Sequence, residues 1–273
     1  MSRRIINRRP GLGSGLLLGA LPFLAIIVLY IVFSSMRLAE NPNDKLLPAF
    51  ATIGETLWRL ATEPDQRSGN ILLWSDSAAS LARLGLGLGV AASLGLVLGV
   101  GIGLVPYLRA GLAPFIAVLS MIPPMAVLPI LFITFGLDEL SKVVLIVIGV
   151  APFLVRDMIL RVEAIPSELL IKAQTLGANT WQIVLRVVLP QVLPKLIDAL
   201  RLSLGPAWLF LISAEAIAAQ DGLGYRIFLV RRYLAMDVIL PYVAWITVLA
   251  FSMDWSLRRI SRLCFPWLSR GAA

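Results

Sequence analysis

Histidine is absent from this 273-residue chain. That removes the commonest general base, a usual metal ligand and every Ser-His-Asp or Cys-His nucleophile system. Cysteine occurs once, at Cys264, so neither an intrachain disulfide nor a cysteine-based metal site can form. Charge is scarce: 15% of residues are Asp, Glu, Lys or Arg, against roughly 25% in an ordinary soluble domain. The phosphate-binding pattern G-x-x-x-x-G-K-[ST] occurs nowhere, which excludes ATP binding by that loop.

What is present is apolar. Hydrophobic residues make up 59% and the mean hydropathy is +0.87. A soluble domain of 29.7 kDa needs a polar skin that this composition cannot supply. Lipid must cover the surface, so the chain is an integral membrane protein. Aromatic residues are only 8%, and the 21 glycines sit among apolar neighbours. That favours packed transmembrane helices over a barrel, whose strands alternate apolar and polar residues. The net charge of +8 is then a question of sidedness, not a sign of nucleic acid.

A helix needs about 20 apolar residues to cross the hydrocarbon core. Uncharged windows mark the candidates. The first is Pro10 to Met36, with its apolar heart at Leu16–Phe33 and the span itself set at 16–35. Leu84 to Leu108 is the second and Ala110 to Leu137 the third. Val143–Val155, Leu202–Ala214 and Val238–Met253 are shorter and need flanking residues to finish the crossing. Lys142 and Arg156 could snorkel from the ends of the fourth. Asp198 and Arg201, one helical turn apart, could pair at the start of the fifth. The expectation is an all-α integral membrane protein of about six spans.

Charge placement orients them. With the N-terminus in the cytoplasm, the inside segments 1–15, 106–113, 156–201 and 254–273 balance at +10. The outside segments balance at −2. By the positive-inside rule both tails, 1–15 and 259–273, are cytoplasmic. Ser2-Arg3-Arg4 resembles the start of a twin-arginine signal. The apolar stretch behind it is longer than a signal core, and no small-x-small cleavage site follows, so it reads as an uncleaved first span.

Residues 36–80 form the longest polar segment, placed outside. Pro48–Leu60 reads as an amphipathic helix broken by Glu63-Pro64-Asp65. Residues 81–258 form the core. In its first span Gly87, Ala91, Gly95, Gly99 and Gly103 repeat every four positions, a row that lets another helix approach closely. The next window holds Pro114, Pro123, Pro124 and Pro129. Each interior proline frees a carbonyl that must face protein or a water-filled path. A path lining and a packed kink are equally open on these residues.

The segment 156–195, with its informative part at about 160–195, is apolar yet not a span. Ser167 can cap a helix running from Glu168 to Leu176, and Gly177 stops it. Asn179 and Gln182 stand at capping-box spacing for a second helix, which Pro190 and Pro194 end. Leu169, Leu170, Ile171 and Leu176 need cover, either from the chain's own spans and lipid or from a partner.

Here a resemblance enters. Ile171-Lys172-Ala173-x3-Gly177-x9-Val187-x-Leu189-Pro190 resembles the E-A-A-x3-G-x9-I-x-L-P signature of ABC-importer permeases. Ala173, Gly177, Leu189 and Pro190 are in register. Ile171 and Lys172 replace Glu and Ala, and Glu168, about one turn earlier, stands where a substitute carboxylate would have to come from. The proline block Ile122-Pro123-Pro124 with Pro129, Ser80-Leu81-x-Arg83, and Asp221-Gly222-Leu223-Gly224-Tyr225 resemble the nitrate/sulfonate/taurine branch of the family.

The resemblance implies the type I importer permease fold in a bacterial inner membrane. It implies a dimer of permeases, two cytoplasmic ABC ATPase subunits and an extracytoplasmic solute-binding protein. This chain would hold no cofactor, and the ATPase would use ATP and magnesium. The helix–Gly–helix element would be the coupling helix seated on the ATPase, through Glu168, Ile171, Lys172, Ala173, Leu176, Gly177, Leu189 and Pro190. Candidate path residues are Pro123, Pro124, Pro129, Ser203, Trp208, Ser213 and Glu215, with a satisfied surface acid the plain alternative for Glu215. The expected solute is sulfonate-, nitrate- or taurine-like, with a urea- or guanidine-like solute as the alternative. A secondary transporter would need coupling ions and inverted repeats or paired broken helices, and no such repeat is visible. A membrane enzyme is disfavoured by the missing histidine and the lack of paired intramembrane carboxylates.

Overall fold

The computed structural model describes residues 11–42, 44–66 and 69–267. The expected tail up to residue 10, with Ser2-Arg3-Arg4, and residues 268–273 of the expected C-terminal tail lie outside the described residues. Every regular element described is helical. In chain order these are α1 (Leu12–Glu40), α2 (Phe50–Thr62), α3 (Leu72–Leu104), α4 (Pro106–Leu119), α5 (Pro124–Phe135), α6 (Glu139–Glu163), α7 (Ser167–Thr175) and α8 (Thr180–Ile183). A π-helical turn, Val184–Val188, leads into α9 (Leu189–Ala218). Then come α10 (Leu223–Val230), a 3-10 turn (Arg231–Tyr233) and α11 (Met236–Cys264).

By length and apolarity α1, α3, α6 and α11 can each cross a bilayer, and α4 with α5 makes a fifth candidate if the bent pair is one span. α9 has 30 residues, about 45 Å of helix, but Lys195, Asp198 and Arg201 occupy its first half. Its apolar second half holds the fifth expected window, 202–214, but α9 is not among the helices long and apolar enough to cross, so the described residues offer four or five candidate spans against the six expected. The windows themselves need correction. The second, 84–108, crosses a break: α3 stops at Leu104 and Pro106 opens α4. The third, 110–137, is two helices bent by 91°. Pro123 and Pro124 both lack an N–H, and a residue before proline is pushed out of the α region, so the helix ends and restarts at Pro124. The fourth grows to 25 residues in α6. Lys142 does not snorkel from it; its ammonium is buried and bonds Glu139 at 2.8 Å. The polar segment shrinks to 41–71, because α1 and α3 both run into it.

The chain divides into two compact units, residues 1–63 with 230–241, and residues 64–229 with the chain from 242 onward. In the first, Tyr30 Oη donates to the Pro48 carbonyl at 2.7 Å and Ser34 Oγ to that of Leu47 at 2.9 Å. These bonds and a tilted Tyr30–Phe50 contact pin the amphipathic α2 to α1. Glu63 ends α2 where the sequence placed the break. Asp44, in the connecting turn, pairs with Arg37, whose hydrogen bond holds the carboxyl below its usual range. Leu234 closes the 3-10 turn with φ +52°.

The second unit is built on α3, α6 and α9. The small-residue row of α3 is buried from Gly87 to Gly103. A Cβ added at Gly87 would lie 2.7 Å from Ile146, at Gly95 2.8 Å from Leu154, at Gly99 2.3 Å from Met158 and at Gly103 2.7 Å from Val162. Each partner lies 59 positions further along the chain, so α3 and α6 run parallel and in step, with rows of period four meeting face to face. Gly85, Gly89 and Gly101, on the other side of α3, have nothing within 4 Å. Across α6, Gly149 receives the ring of Phe210 from α9, at 2.3 Å from an added Cβ.

Candidate functional site: an exposed elbow and a buried ion cluster

The segment between α6 and α9 is an elbow of α7 and α8. Its turn is specified by sequence. Gly177 has φ +79°, the left-handed region that favours glycine. Ala178 N–H donates to the Ala173 carbonyl at 3.0 Å and Gly177 N–H to that of Gln174 at 2.9 Å, the paired bonds of a Schellman end. Two residues on, Gln182 N–H donates to Asn179 Oδ1 at 2.8 Å and Asn179 N–H to Gln182 Oε1 at 2.9 Å. This is the capping box expected from the spacing. Both orphan ends at the turn are therefore satisfied locally, and the elbow is stiff.

Other details differ from the expectation. Pro166, not Ser167, takes the cap position of α7, and no side chain caps it; α7 ends at Thr175. Pro190 and Pro194 do not end α8. Its first turn passes through the π turn into α9, where Pro190 sits in the opening turn and needs no N–H partner. Leu189 and Pro190 are thus half-buried at the foot of α9. Glu168, Ile171, Lys172, Leu176 and Gly177 are exposed on the elbow, and Ala173 is half-buried. No residue of α7 is buried. Leu176 is 87% exposed, with Trp181, Ile171, Leu185 and Leu169 also open. For a membrane protein this apolar skin would be ordinary at bilayer depth. On two short helices and the π turn that follows, carrying Glu168, Lys172, Gln174 and Arg186, it marks a contact surface.

At the N-terminal ends of α3 and α6 lies a cluster that the sequence reading did not assemble. Arg83, buried in α3, makes a two-pronged pair with Glu139 of α6, one prong at 2.8 Å. Its Nη1 reaches Glu215 of α9 at 2.8 Å, and Nη2 reaches Asp221. Ser80 Oγ donates to Glu215 at 2.8 Å and Gly224 N–H does so at 2.8 Å. Gly222, at φ +108°, passes so close that a Cβ would stand 2.6 Å from the Glu215 carboxyl. One turn before, Asp76 accepts from Arg226 Nε at 2.9 Å, Tyr242 Oη at 2.9 Å and Gly222 N–H at 3.1 Å. Buried charges this well bonded fix geometry more than they add stability.

The path candidates separate accordingly. Glu215 has no exposed surface and spends its oxygens on Ser80, Arg83 and Gly224. Ser203 and Trp208 are buried too, Ser203 bonding the Ala199 carbonyl at 2.9 Å. Ser213 and Pro124 are half-exposed, and Pro123 and Pro129 are exposed on the bent pair. The sequence holds a signal for the cluster: Arg83, Lys142 and Glu215 stand at the edges of apolar windows, beside the blocks Ser80-x2-Arg83 and Asp221–Gly224. Their mutual contact, 56 to 138 positions apart, was not visible.

Among the described residues no group of three or more Asp, Glu, His or Cys could hold a metal ion. A many-helix membrane body, carrying a rigid elbow on the end of one core helix, is the architecture of a transporter's membrane subunit. The chain belongs to the family of binding-protein-dependent transport system inner membrane components, whose profile matches residues 91–264, and is a permease subunit of an ABC importer. It is 37% identical over 195 residues to the taurine transport system permease TauC of Escherichia coli K12, covering 71% of each chain. It is 28% identical over 261 residues to the putative aliphatic sulfonates transport permease SsuC of Bacillus subtilis 168, covering 96% of this chain and 90% of that one. The fold matches a crystal structure of a bacterial ABC transporter involved in import of the acidic polysaccharide alginate. There the TM-score is 0.63 at 17% identity, over 90% of this chain and 95% of that one.

Proposed function

We propose that this permease passes a small sulfonate of the taurine type into the cytoplasm, as one of two copies, with two cytoplasmic ABC ATPase subunits and an extracytoplasmic binding protein. The ATPase uses ATP and magnesium; this chain supplies the path and the lever. Both termini are cytoplasmic, in line with the charge division. The relatives' names, taurine and aliphatic sulfonates, support the solute class. The observation that carries the lever is the stiff elbow with Ile171, Leu176 and Trp181 bared at its surface. A short rigid body with an apolar face can seat in a groove and pass a rigid-body motion to the helices on either side.

The test reconstitutes permease, ATPase and binding protein in vesicles and scores ATPase copurification and taurine uptake. Ile171→Asp and Leu176→Asp place an unpaired charge in an apolar contact, and Gly177→Val strains the turn. Each should reduce copurified ATPase at least about tenfold, since burying a charge costs more than the 1.4 kcal/mol that a factor of ten represents. Membrane insertion should not change. If all three assemble and transport as the parent does, the elbow is not the lever. If they fail but the parent ignores taurine and alkanesulfonates, the lever stands and the solute is wrong.

A further inference from the structure

Arg109 sits in the first turn of α4, where three helices meet. Its Nη1 pairs with Glu163 Oε1, on the last residue of α6, at 3.1 Å. Its Nη2 donates to the Gly103 carbonyl in the last turn of α3, one of the orphan acceptors of that helix end. Its Nε is buried without a hydrogen-bond partner among the described residues. A side chain that leaves a buried donor unmet is held in place by the ends it joins, not by its own comfort.

The surroundings make that junction mechanical. α6 runs unbroken to Glu163, and Ala164–Pro166 alone separate it from α7, with Ile165 buried as an anchor. Movement of the elbow therefore arrives first at Glu163. Gly103 is locked against Val162, so the ends of α3 and α6 move together. α4 differs: it contains no buried residue, and its half-buried Ala113 and Ile116 pack against the cluster of Ile102, Val155 and Ile159. It leads into α5 through the 91° bend at the proline block. The Arg109–Glu163 bond is a polar link between α6 and this bent pair.

We propose that Arg109 and Glu163 form the strut that carries displacement of the elbow into the bent α4–α5 pair. They act as positioning residues that join ATP-driven motion to the path. This rests on the elbow being the lever. Both side chains are about one-third exposed, at 38% and 35%. Such pairs contribute little to stability, so neutralising them should leave folding alone and act on coupling.

The experiment measures taurine transported per ATP hydrolysed in reconstituted vesicles, for Arg109→Gln, Glu163→Gln and the double variant, with ATPase copurification scored in parallel. The expected result is parental assembly and ATPase rate, with the transport ratio lowered about tenfold in each single variant and no further in the double. Arg161→Gln is the control: Arg161 pairs with Asp157 on the same helix at 3.4 Å and, among the described residues, forms no ion pair with another element. It should keep the parental ratio. The proposal is overturned if the single variants keep that ratio, if the double loses the product of both effects, or if Arg161→Gln falls equally. It is also overturned if both single variants vanish from the membrane, which would make the pair a structural clamp. Failure of the elbow itself reads differently, as elbow variants that still assemble with the ATPase.

Discussion

Gly99→Ala adds one methyl group to the seam between α3 and α6. The new Cβ would stand 2.3 Å from Met158 Cβ and 3.2 Å from the Val155 carbonyl oxygen. Ordinary contact begins near 3.4 Å, so the shortfall is 1.1 Å. Met158 cannot swing away, because the atom struck is fixed to its backbone. α6 itself must retreat, and Gly95 and Gly103 then lose contact with Leu154 and Val162. Overpacking costs about 1–3 kcal/mol. The gain from replacing helical glycine by alanine is about 0.8–1 kcal/mol, leaving a net loss of about 2 kcal/mol at the upper end of that range. Gly101→Ala, two residues along on the open side of α3, gains the propensity and meets nothing within 4 Å. The two variants should differ by about 3 kcal/mol, or roughly 6–12 °C in melting temperature for a protein of this size. Thermal unfolding of the purified protein in mild detergent, followed by circular dichroism, gives both values. If Gly99→Ala melts at or above Gly101→Ala, the in-step packing of the two helices is refuted.

Two further outcomes are expected. Arg83→Gln strands the buried Glu215 carboxylate with only Ser80 and Gly224 as donors. It should cost about 3–5 kcal/mol, visible in the same melting assay, and adding Glu215→Gln should recover much of the loss. An impermeant thiol reagent on intact cells should leave Cys264, which is exposed on the protein surface, unlabelled, while labelling Gln66→Cys; the opposite pattern would invert the topology drawn from the charge division.

What could be read from the chain beforehand was what repeats or lies close in sequence. The period-four row of α3 announces a close partner because only backbone contact makes five small residues useful. The Asn179–Gln182 box and Gly177 are local devices within seven residues, and the structure holds each as its spacing implies. The proline block was legible as a disturbance but not as a right-angled bend. A single proline kinks a helix, whereas adjacent Pro123 and Pro124 remove two donors and bar the preceding residue from the helix. The ion cluster was illegible for a different reason. Arg83 alone draws on Glu139, Glu215 and Asp221 from three other parts of the chain, and no period marks such a meeting. The bonding of Glu215 was hidden for the same cause, since its partners Ser80 and Arg83 lie more than 130 positions away in the chain.

The π turn at Val184–Val188 has its own consequence. A π turn holds one residue more than an α turn for nearly the same advance along the axis, so it stores a single extra residue between the elbow and α9. An α-helix turns about 100° per residue. Removing any one residue from this stretch would let it relax to α-helix and swing α8, with Trp181 and Leu185, by about that angle around the axis of α9. The direction in which the elbow faces is therefore a matter of counting, set by chain length over five positions and not by which side chains occupy them. Shortened relatives would point the same apolar surface elsewhere.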